Sequence, residues 1–538
     1  MMDFRLKYST TLILLIPAWL FSQTNIDFGT VNEKSSSTKS LNYDATNFPT
    51  GSNDSVYAYF TLMGVGWFND ATSMVSKKGD TAGVTGQVDL EFKPKQNVVH
   101  NGVVLIENEY SVTEIVDLKG QGTFSNTYYS TIRNKSEEAL KTALKTLLNN
   151  GAVSLGYNRA RDNMYATIDN VNGEVECVYT GKKATFNTRA GANSSSFNCE
   201  HTYPQGFFSS SDPEKSDIHH LFPTTTTSNS RRGNDEFGTV SSASWQDGGS
   251  RSGGGKFEPR DVHKGAVARS MMYFVLRHGD FSSFLSKQES VLRTWNSQFA
   301  VSQKEIDRND AIFGLQKNRS PFVDYPQLLE RITKISGNSV AAAKYELQFS
   351  RNLRDTQFDT VFNMEIKAVI YNSGNQAVTI TSIASSDNDN YLVVAEKYDG
   401  TVIQPGNYLE FKYNLSGTND GGHMGLDHSL TIKTSAPNFA TKVVNYKGVV
   451  NTGSSIAEQG LKRITAYPNP SSGSIQFEGL TLNESDLSIE VFDLVGSKVA
   501  SQVLNSNQLD ISEFKAGSYV AVISKNGEQL YQTRFIRE

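Results

Sequence analysis

Cysteine is almost absent: the 538 residues contain two, Cys177 and Cys199. Two thiols cannot build a zinc-ribbon site, and without a C-x-x-C spacing they make no redox pair. Spacing alone leaves one disulfide and two free thiols equally open, because the bond demands a particular Cα geometry. Strong net charge is missing as well. Fifty-one Lys and Arg against 56 Asp and Glu leave −5, which excludes a globally basic nucleic-acid coat but not a local phosphate-binding cleft. No segment approaches the ~20 apolar residues of a membrane-spanning helix. The apolar run Leu12 to Phe21 is too short for that; it follows Arg5 and Lys7 and precedes Ser22-Gln23, the pattern of an export signal over residues 1–23. The mature chain is therefore expected outside the cytoplasm, where oxidation of thiols is permitted.

What is present is length and β-forming composition. Single domains hold on the order of 100–200 residues, so three or four units are expected. Forty-two Gly and 23 Tyr lean towards strands and turns. Residues 24–123 carry short alternating runs such as Ser55-Val-Tyr-Ala-Tyr-Phe-Thr, Val88-Asp-Leu-Glu-Phe and Val103-Val-Leu-Ile, the pattern of a β-sandwich. Leu90-Glu-Phe-Lys recurs as Leu409-Glu-Phe-Lys, and Asp117-Leu-Lys-Gly is echoed by Asn445-Tyr-Lys-Gly. Residues 341–452 thus read as a second, diverged sandwich. Both resemble immunoglobulin-like accessory modules that open on a Phe-Gly-x-Val strand, here Asp27-Phe-Gly-Thr-Val. Between them, in 124–340, the period changes to that of helices: Ser136-Glu-Glu-Ala-Leu-Lys-Thr-Ala-Leu, with Ser136 as N-cap, and Val262 to Arg277.

Residues 453–538 comprise a linker and a further β-unit. Ala466-Tyr-Pro-Asn-Pro-Ser-Ser-Gly, Ser488-Ile-Glu-Val-Phe-Asp, Leu509-Asp-Ile-Ser and Ala516-Gly-Ser-Tyr-Val-Ala-Val-Ile follow one another. This order resembles the type A sorting domain of the type IX secretion system of Bacteroidetes. The resemblance implies export beyond the outer membrane by that machinery, usually with removal of the domain.

Chemistry is sought in the mixed unit, where four of the eight histidines lie between 201 and 263. In Asn198-Cys-Glu-His-Thr-Tyr-Pro-Gln, Glu200 offers a hard oxygen ligand and His201 a base titrating near neutrality. Adjacent strand residues face opposite ways, so both serve one site only where the strand ends and bends, as the Tyr203-Pro204 step favours. In Thr224 to Arg232, Thr227 or Ser228 is expected to cap a short helix that places Asn229 and Arg232 on one face. An amide oxygen suits a metal shell, and a guanidinium clamps a phosphate. Taken alone, Glu200-His201 is also a surface Glu with a hydrogen-bonded His, and the segment with Asn229 and Arg232 an ordinary solvated turn. Zinc binding by His219 and His220 is a rival reading, though neighbouring residues converge poorly on one ion.

These motifs, with Cys177-Val-Tyr-Thr-Gly, Asp217-Ile-His-His-Leu-Phe-Pro, Phe257-Glu-Pro-Arg-Asp, Lys264-Gly-Ala-Val-Ala-Arg and Asn318-Arg-Ser-Pro-Phe-Val-Asp, occur in the order of the endonuclease I family. The resemblance covers about 124–335. It implies an α+β nuclease domain with a ββα-metal core; with the readings above, the chain is expected to be multidomain, this domain flanked by immunoglobulin-like β-sandwich modules and a C-terminal β-sandwich sorting domain. His201 matches the family's general base, Glu200 and Asn229 its metal ligands, and Arg232 an arginine near the phosphate. Asp217 and His219 match residues expected to support the site. Arg231 stands where relatives are often acidic, and Ser320 where they commonly carry Asn. The implied cofactor is Mg²⁺, or Mn²⁺ or Ca²⁺, and the implied partners are DNA, with some RNA, bound through backbone phosphates. Lys182, Lys183, Arg189, Lys264 and Arg269 are candidate groove cations. Two other classes of reading are a surface adhesin with an inactive nuclease-like domain and a different phosphodiesterase such as a phospholipase, which would want an apolar groove.

Overall fold

A computed structural model describes residues 25–44, 59–64, 75–77, 85–107, 110–358, 364–386, 392–394, 396–415, 424–450, 462–478, 480, 487–493, 497–504, 506–525 and 528–538. The export signal, the linker at 453–461 and the first part of the Ser55–Thr61 run lie outside the described residues. The chain divides into two compact units. One draws on Met1–Phe358, Asn363–Ser416 and Asp427–Lys447, the other on Asp359–Phe362, Gly417–Leu426 and Gly448–Glu538.

Period-2 patterning builds the first module. Strands β1 (Asn25–Asn32), β2 (Ser37–Asp44), β3 (Tyr59–Met63), β4 (Val75–Lys77), β5 (Thr85–Phe92), β6 (Val99–Glu107) and β7 (Val112–Thr123) form two sheets, β1-β7-β6-β3 and β2-β5-β4. On β5, Val88, Leu90 and Phe92 are buried while Asp89 is exposed, the alternation read from the sequence. They share a core with Ile26, Phe28, Val104, Ile106, Val116 and Leu118 of the other sheet. A second pair of sheets lies at 347–450. Met364–Asn372 pairs with Tyr408–Leu415, and Met424–Thr434 with Val378–Ser385. The Tyr413 and Tyr446 hydroxyls, 2.7 Å apart, join strands of the two sheets. Met63, Val103 and Leu105 of the first module pack on Val369 and Tyr371.

Helical spacing builds the middle. Helix α1 (Glu137–Asn149) buries Leu140, Leu144 and Leu148, one face at four-residue steps. Ser136 occupies its N-cap without a side-chain cap bond; Glu137 instead binds Thr333 N and Oγ1 at 2.9 and 2.8 Å. Then follow α2 (Tyr157–Asn163), β8 (Asn170–Val171), β9 (Glu174–Glu176), β10 (Lys183–Thr185), α3 (Arg189–Ser194), β11 (Phe197–His201), β12 (Leu221–Thr225) and α4 (Thr226–Arg232). A four-stranded sheet of β13 (Glu236–Phe237), β14 (Trp245–Asp247), β15 (Ser250–Gly253) and β16 (Lys256–Glu258) precedes α5 (Asp261–His278). Helix α5 is buried from Gly265 to Arg277 and forms the spine of the domain: Val267, Met271, Met272, Phe274 and Val275 join the core, and its polar Arg269, Ser270, Tyr273 and Arg277 all find partners. Helices α6 (Glu289–Gln298), α7 (Gln303–Gln316) and α8 (Pro321–Asp324) complete it.

The second unit is β-rich. Leu487–Asp493, Gly517–Lys525 and Glu528–Arg537 form one antiparallel sheet, and Thr465–Tyr467 with Ser474–Glu478 belong to another. Ile475, Phe477, Ile489, Val491, Leu509, Ile523 and Phe535 share its core.

Candidate active site

Strands β11 and β12 are antiparallel, with Glu200 opposite Phe222 and His201 opposite Leu221. Helix α4 starts directly from β12. Its cap is Thr225, whose side chain accepts from Ser228 N, not Thr227 or Ser228. Thr225 still has extended backbone angles as the last strand residue, which a cap requires. Ser228 is buried instead, its hydroxyl 2.8 Å from those of Thr224 and Thr225.

Glu200 is 1% exposed. Its Oε1 accepts from the Tyr179 hydroxyl at 2.7 Å and lies 3.2 Å from Arg232 Nε. The Arg232 contact is an ion pair rather than a hydrogen bond, since Nε keeps no bonded partner. Burial pushes the Glu200 carboxyl up, and the Arg232 charge and the Tyr179 hydroxyl only partly offset it. Tyr179 is held in turn. Ser250 Oγ donates to its carbonyl at 2.6 Å, and Gly248 at φ +58 lies so close that a Cβ there would sit 2.0 Å from Thr180 O.

Arg232 corrects the sequence reading. It is 1% exposed, donates to Thr202 O at 2.7 Å and to Gly233 O at 2.8 Å, and lies 4.7 Å from the centre of the Phe237 ring. Its guanidinium is committed to Glu200 and the backbone, so it does not present a face to a phosphate. The shared helix face with Asn229 was expected; that face packs on β11.

Asn229, half-buried, donates Nδ2–H to Cys199 O at 3.3 Å, which ties α4 to the strand one residue before Glu200. Among the described residues no donor reaches its Oδ1. The structure thus pairs Glu200 with Arg232 and ties Asn229 to the backbone of the residue before Glu200. His201 sits on the other flank of the same strand end. Its ring packs beside Tyr157, His220 and Phe208, with centroids at 5.3, 5.4 and 6.4 Å, and no hydrogen bond joins it to Glu200 or Asn229. Opposite faces for consecutive strand residues explain the separation.

The His201 ring is nevertheless oriented. Nε2 lies 3.2 Å from Lys215 O, a carbonyl that can only accept. That bond assigns the proton to Nε2 and leaves the lone pair on Nδ1. Burial, reinforced by the charges of Lys215, Arg161 and Arg232, lowers the ring to about 4, so it is neutral at physiological pH.

Asp217 and His219 hold the loop that carries Lys215. Asp217 is buried; its Oδ2 meets Arg277, Tyr273 and His278, and its Oδ1 accepts from His219 N and Gln316. Burial would raise its carboxyl, but Arg277 and the histidines keep it well below the usual range. His219 Nε2 lies 3.1 Å from Asn318 O, and His220 Nε2 2.8 Å from Glu214 O. The two rings go to different carbonyls, and among the described residues no group of three or more His, Cys, Asp and Glu is arranged to hold a metal.

The disulfide alternative is not realised. Cys177 and Cys199 are both buried and free. Cys177 Sγ faces the α4 start, 3.5 Å from Ser228 Oγ, whereas Cys199 faces Tyr157 and burial pushes its thiol up to about 12. The groove candidates are paired: Lys182 with Asp247, Lys183 with Glu174, Arg189 with Asp162, Lys264 with Glu258, and buried Arg269 with Glu305. Sequence reasoning passed over Tyr179, Tyr157, Arg161 and Lys215, and weighed His220 only as a rival zinc ligand. Of the first four, only Tyr179 lay inside a motif already singled out.

A family model described as "Endonuclease I" matches residues 123–327, and one described as "Secretion system C-terminal sorting domain" matches 465–537. The chain is 30% identical over 228 residues to an "Extracellular ribonuclease" of Bacillus subtilis (strain 168), covering 39% of this chain and 78% of that protein. It is 31% identical over 229 residues to an "Extracellular ribonuclease" of Bacillus amyloliquefaciens, with the same coverage of 39% and 78%. It is 37% identical over 68 residues to "Endonuclease-1" of Buchnera aphidicola subsp. Baizongia pistaciae (strain Bp), covering 12% of this chain and 26% of that protein. Among the described residues no helix is long and apolar enough to cross a membrane.

Proposed function

The chain belongs to the endonuclease I family, and on that premise we propose that it hydrolyses phosphodiester bonds of DNA, and of RNA, without sequence preference. It is a multidomain nuclease whose C-terminal sorting domain directs it through type IX secretion to the extracellular space. Within this reading the nuclease domain spans 124–340 with a ββα-metal core of β11, β12 and α4. The immunoglobulin-like modules span 24–123 and 341–452.

The residues fit a divalent cation of the Mg²⁺ type. Both contacts of the Glu200 carboxylate converge on Oε1, which leaves Oε2 for a ligand, and the Asn229 amide commits its NH₂ and not its oxygen. Two hard oxygens with water completing the shell is the donor set Mg²⁺ favours. A carboxyl whose burial outweighs its partners is also short of positive charge, which a cation restores. A bound cation would supply positive charge to the phosphoryl and leaving oxygens.

His201 does the proton work. With Nε2–H held by Lys215 O, Nδ1 takes a proton from water as that water attacks phosphorus in line. The P–O bond to the 3′ oxygen breaks, leaving a 5′-phosphate on one end and, with a proton taken up from solvent, a 3′-hydroxyl on the other. The buried ring is by itself a weak base, and an arriving phosphate anion raises its proton affinity. Arg232 and Tyr179 fix the Glu200 carboxylate, and Asp217 and His219 fix the loop that orients His201. The observation that carries this reading is the neutral, oriented imidazole at the end of the strand that also presents Glu200.

The test is purified protein on plasmid DNA and on RNA with Mg²⁺, with EDTA, and with His201→Ala. Cleavage is expected with Mg²⁺ and lost in the other two arms. Full activity of the alanine variant would remove His201 from the mechanism, and full activity in chelator would remove the metal. The RNA arm matters because two relatives are named ribonucleases. Cleavage of RNA alone would narrow the substrate to that polymer.

A further inference from the structure

With Arg232 buried, the phosphate needs another partner within reach of His201. Two cations stand there. Arg161 Cζ lies 4.1 Å and Lys215 Nζ 5.0 Å from the centre of the Tyr157 ring. That ring lies 5.3 Å from the ring of His201 on β11. Tyr157 and Arg161 are four apart on α2, hence on one face. Tyr157 thus packs against His201 and carries both cations on its ring beside that residue.

Neither cation is neutralised among the described residues. The one hydrogen bond of the Arg161 guanidinium goes to the neutral Asn158 Oδ1 at 2.9 Å, and its buried Nε has no partner. The acids nearest in sequence are turned elsewhere: Asp162 to Arg189 at 2.7 Å, and Glu214 towards His278 at 3.9 Å. This contrasts with Lys182, Lys183, Arg189, Lys264 and Arg269, each facing a carboxylate. Lys215 has a double part, because its carbonyl holds His201 Nε2. The same residue therefore fixes both the base and an ammonium near it.

Resting on the nuclease reading above, we propose that Arg161 and Lys215, positioned by Tyr157, form the subsite that binds a backbone phosphodiester of the substrate strand beside His201. Uncompensated cations over an aromatic face attract an anion whatever its base sequence, so the subsite serves DNA and RNA alike. The two side chains bind substrate; Tyr157 is a positioning residue.

The test measures binding of the full chain to a fluorescent single-stranded oligonucleotide without metal across a salt series, and then steady-state cleavage. Arg161→Gln and Lys215→Gln are each expected to weaken binding, raise KM more than they lower kcat, and reduce the slope of log Kd against log salt by about 0.7. Arg161→Lys should restore most of that slope. Lys182→Gln, which removes a paired surface cation, should leave it unchanged. Unchanged thermal melts certify the fold of each variant, and Arg161→Lys with Lys215→Gln carries the test if Arg161→Gln does not fold. A wild-type slope and KM in both glutamine variants would overturn the proposal while the nuclease reading stands. A wild-type protein that neither binds nor cuts nucleic acid would overturn both.

Discussion

Replacing Arg232 separates the two roles a site arginine can play. Arg232→Met leaves the Glu200 carboxylate buried without its cation and strips a donor from the Thr202 and Gly233 carbonyls. Breaking one partner of a buried pair costs about 3–5 kcal/mol, mainly through the uncompensated charge. Methionine keeps much of the volume against Phe237, so packing adds little. The charge argument also fixes a second variant: Glu200→Gln in the Arg232→Met background removes the stranded carboxylate and should recover about 2–3 kcal/mol. The deficit of the single variant should shrink as pH falls, because protonating the carboxyl, already pushed up by burial, discharges it. Urea unfolding followed by fluorescence reads these differences as shifts in midpoint at constant m. A loss below about 1 kcal/mol, joined to a reduced salt slope in nucleic-acid binding, would refute the reasoning and return Arg232 to the phosphate.

Acid should destabilise the protein before its carboxylates titrate. Burial lowers His100, His201 and His219 to about 4 and His263 to about 3, with His220 well below its ordinary value. The unfolded chain then binds more protons between pH 6.5 and about 4. Stability is full above 6.5 and falls below it by about 1.4 kcal/mol per pH unit for each proton taken up; a melting temperature that is flat from pH 6.5 to 4.5 would contradict this. Gly248→Ala should lower stability by more than 1 kcal/mol, on the order of the cost of a side chain at positive φ, and lower activity through Tyr179, with wild-type melts as the contrary result. Reductant should leave the melting temperature unchanged and a thiol assay in denaturant should count two thiols, whereas a reductant-dependent melt would reveal a bond between Cys177 and Cys199.

The fold was legible where a period was clean. Val88, Leu90 and Phe92 alternate as a half-buried strand must, and the apolar residues of 262–277 mark the helix that became the buried spine. The strand end carrying Glu200 and His201 was legible, and so was the problem that adjacent strand residues face apart. Pattern failed where several residues satisfy it equally. Thr224 to Ser228 offer five hydroxyls for one cap, and only the point where the strand angles end selects Thr225. Helical spacing put Asn229 and Arg232 on one face but not which way that face looks, so a buried counter-ion of Glu200 was read as a phosphate clamp. Tyr179, 21 residues before Glu200, and Lys215, 14 after His201, are brought in by tertiary packing that no spacing rule encodes.

The central claim is that Glu200 and Asn229 hold one cation at the strand end where His201 acts. Anomalous diffraction from Mn²⁺-soaked crystals tests it without reference to turnover. The account predicts a peak between the Glu200 carboxylate and the Asn229 amide oxygen, absent in Glu200→Gln, with the His201 ring outside the coordination shell. A peak at His219 and His220, or one bound directly by His201, would contradict it.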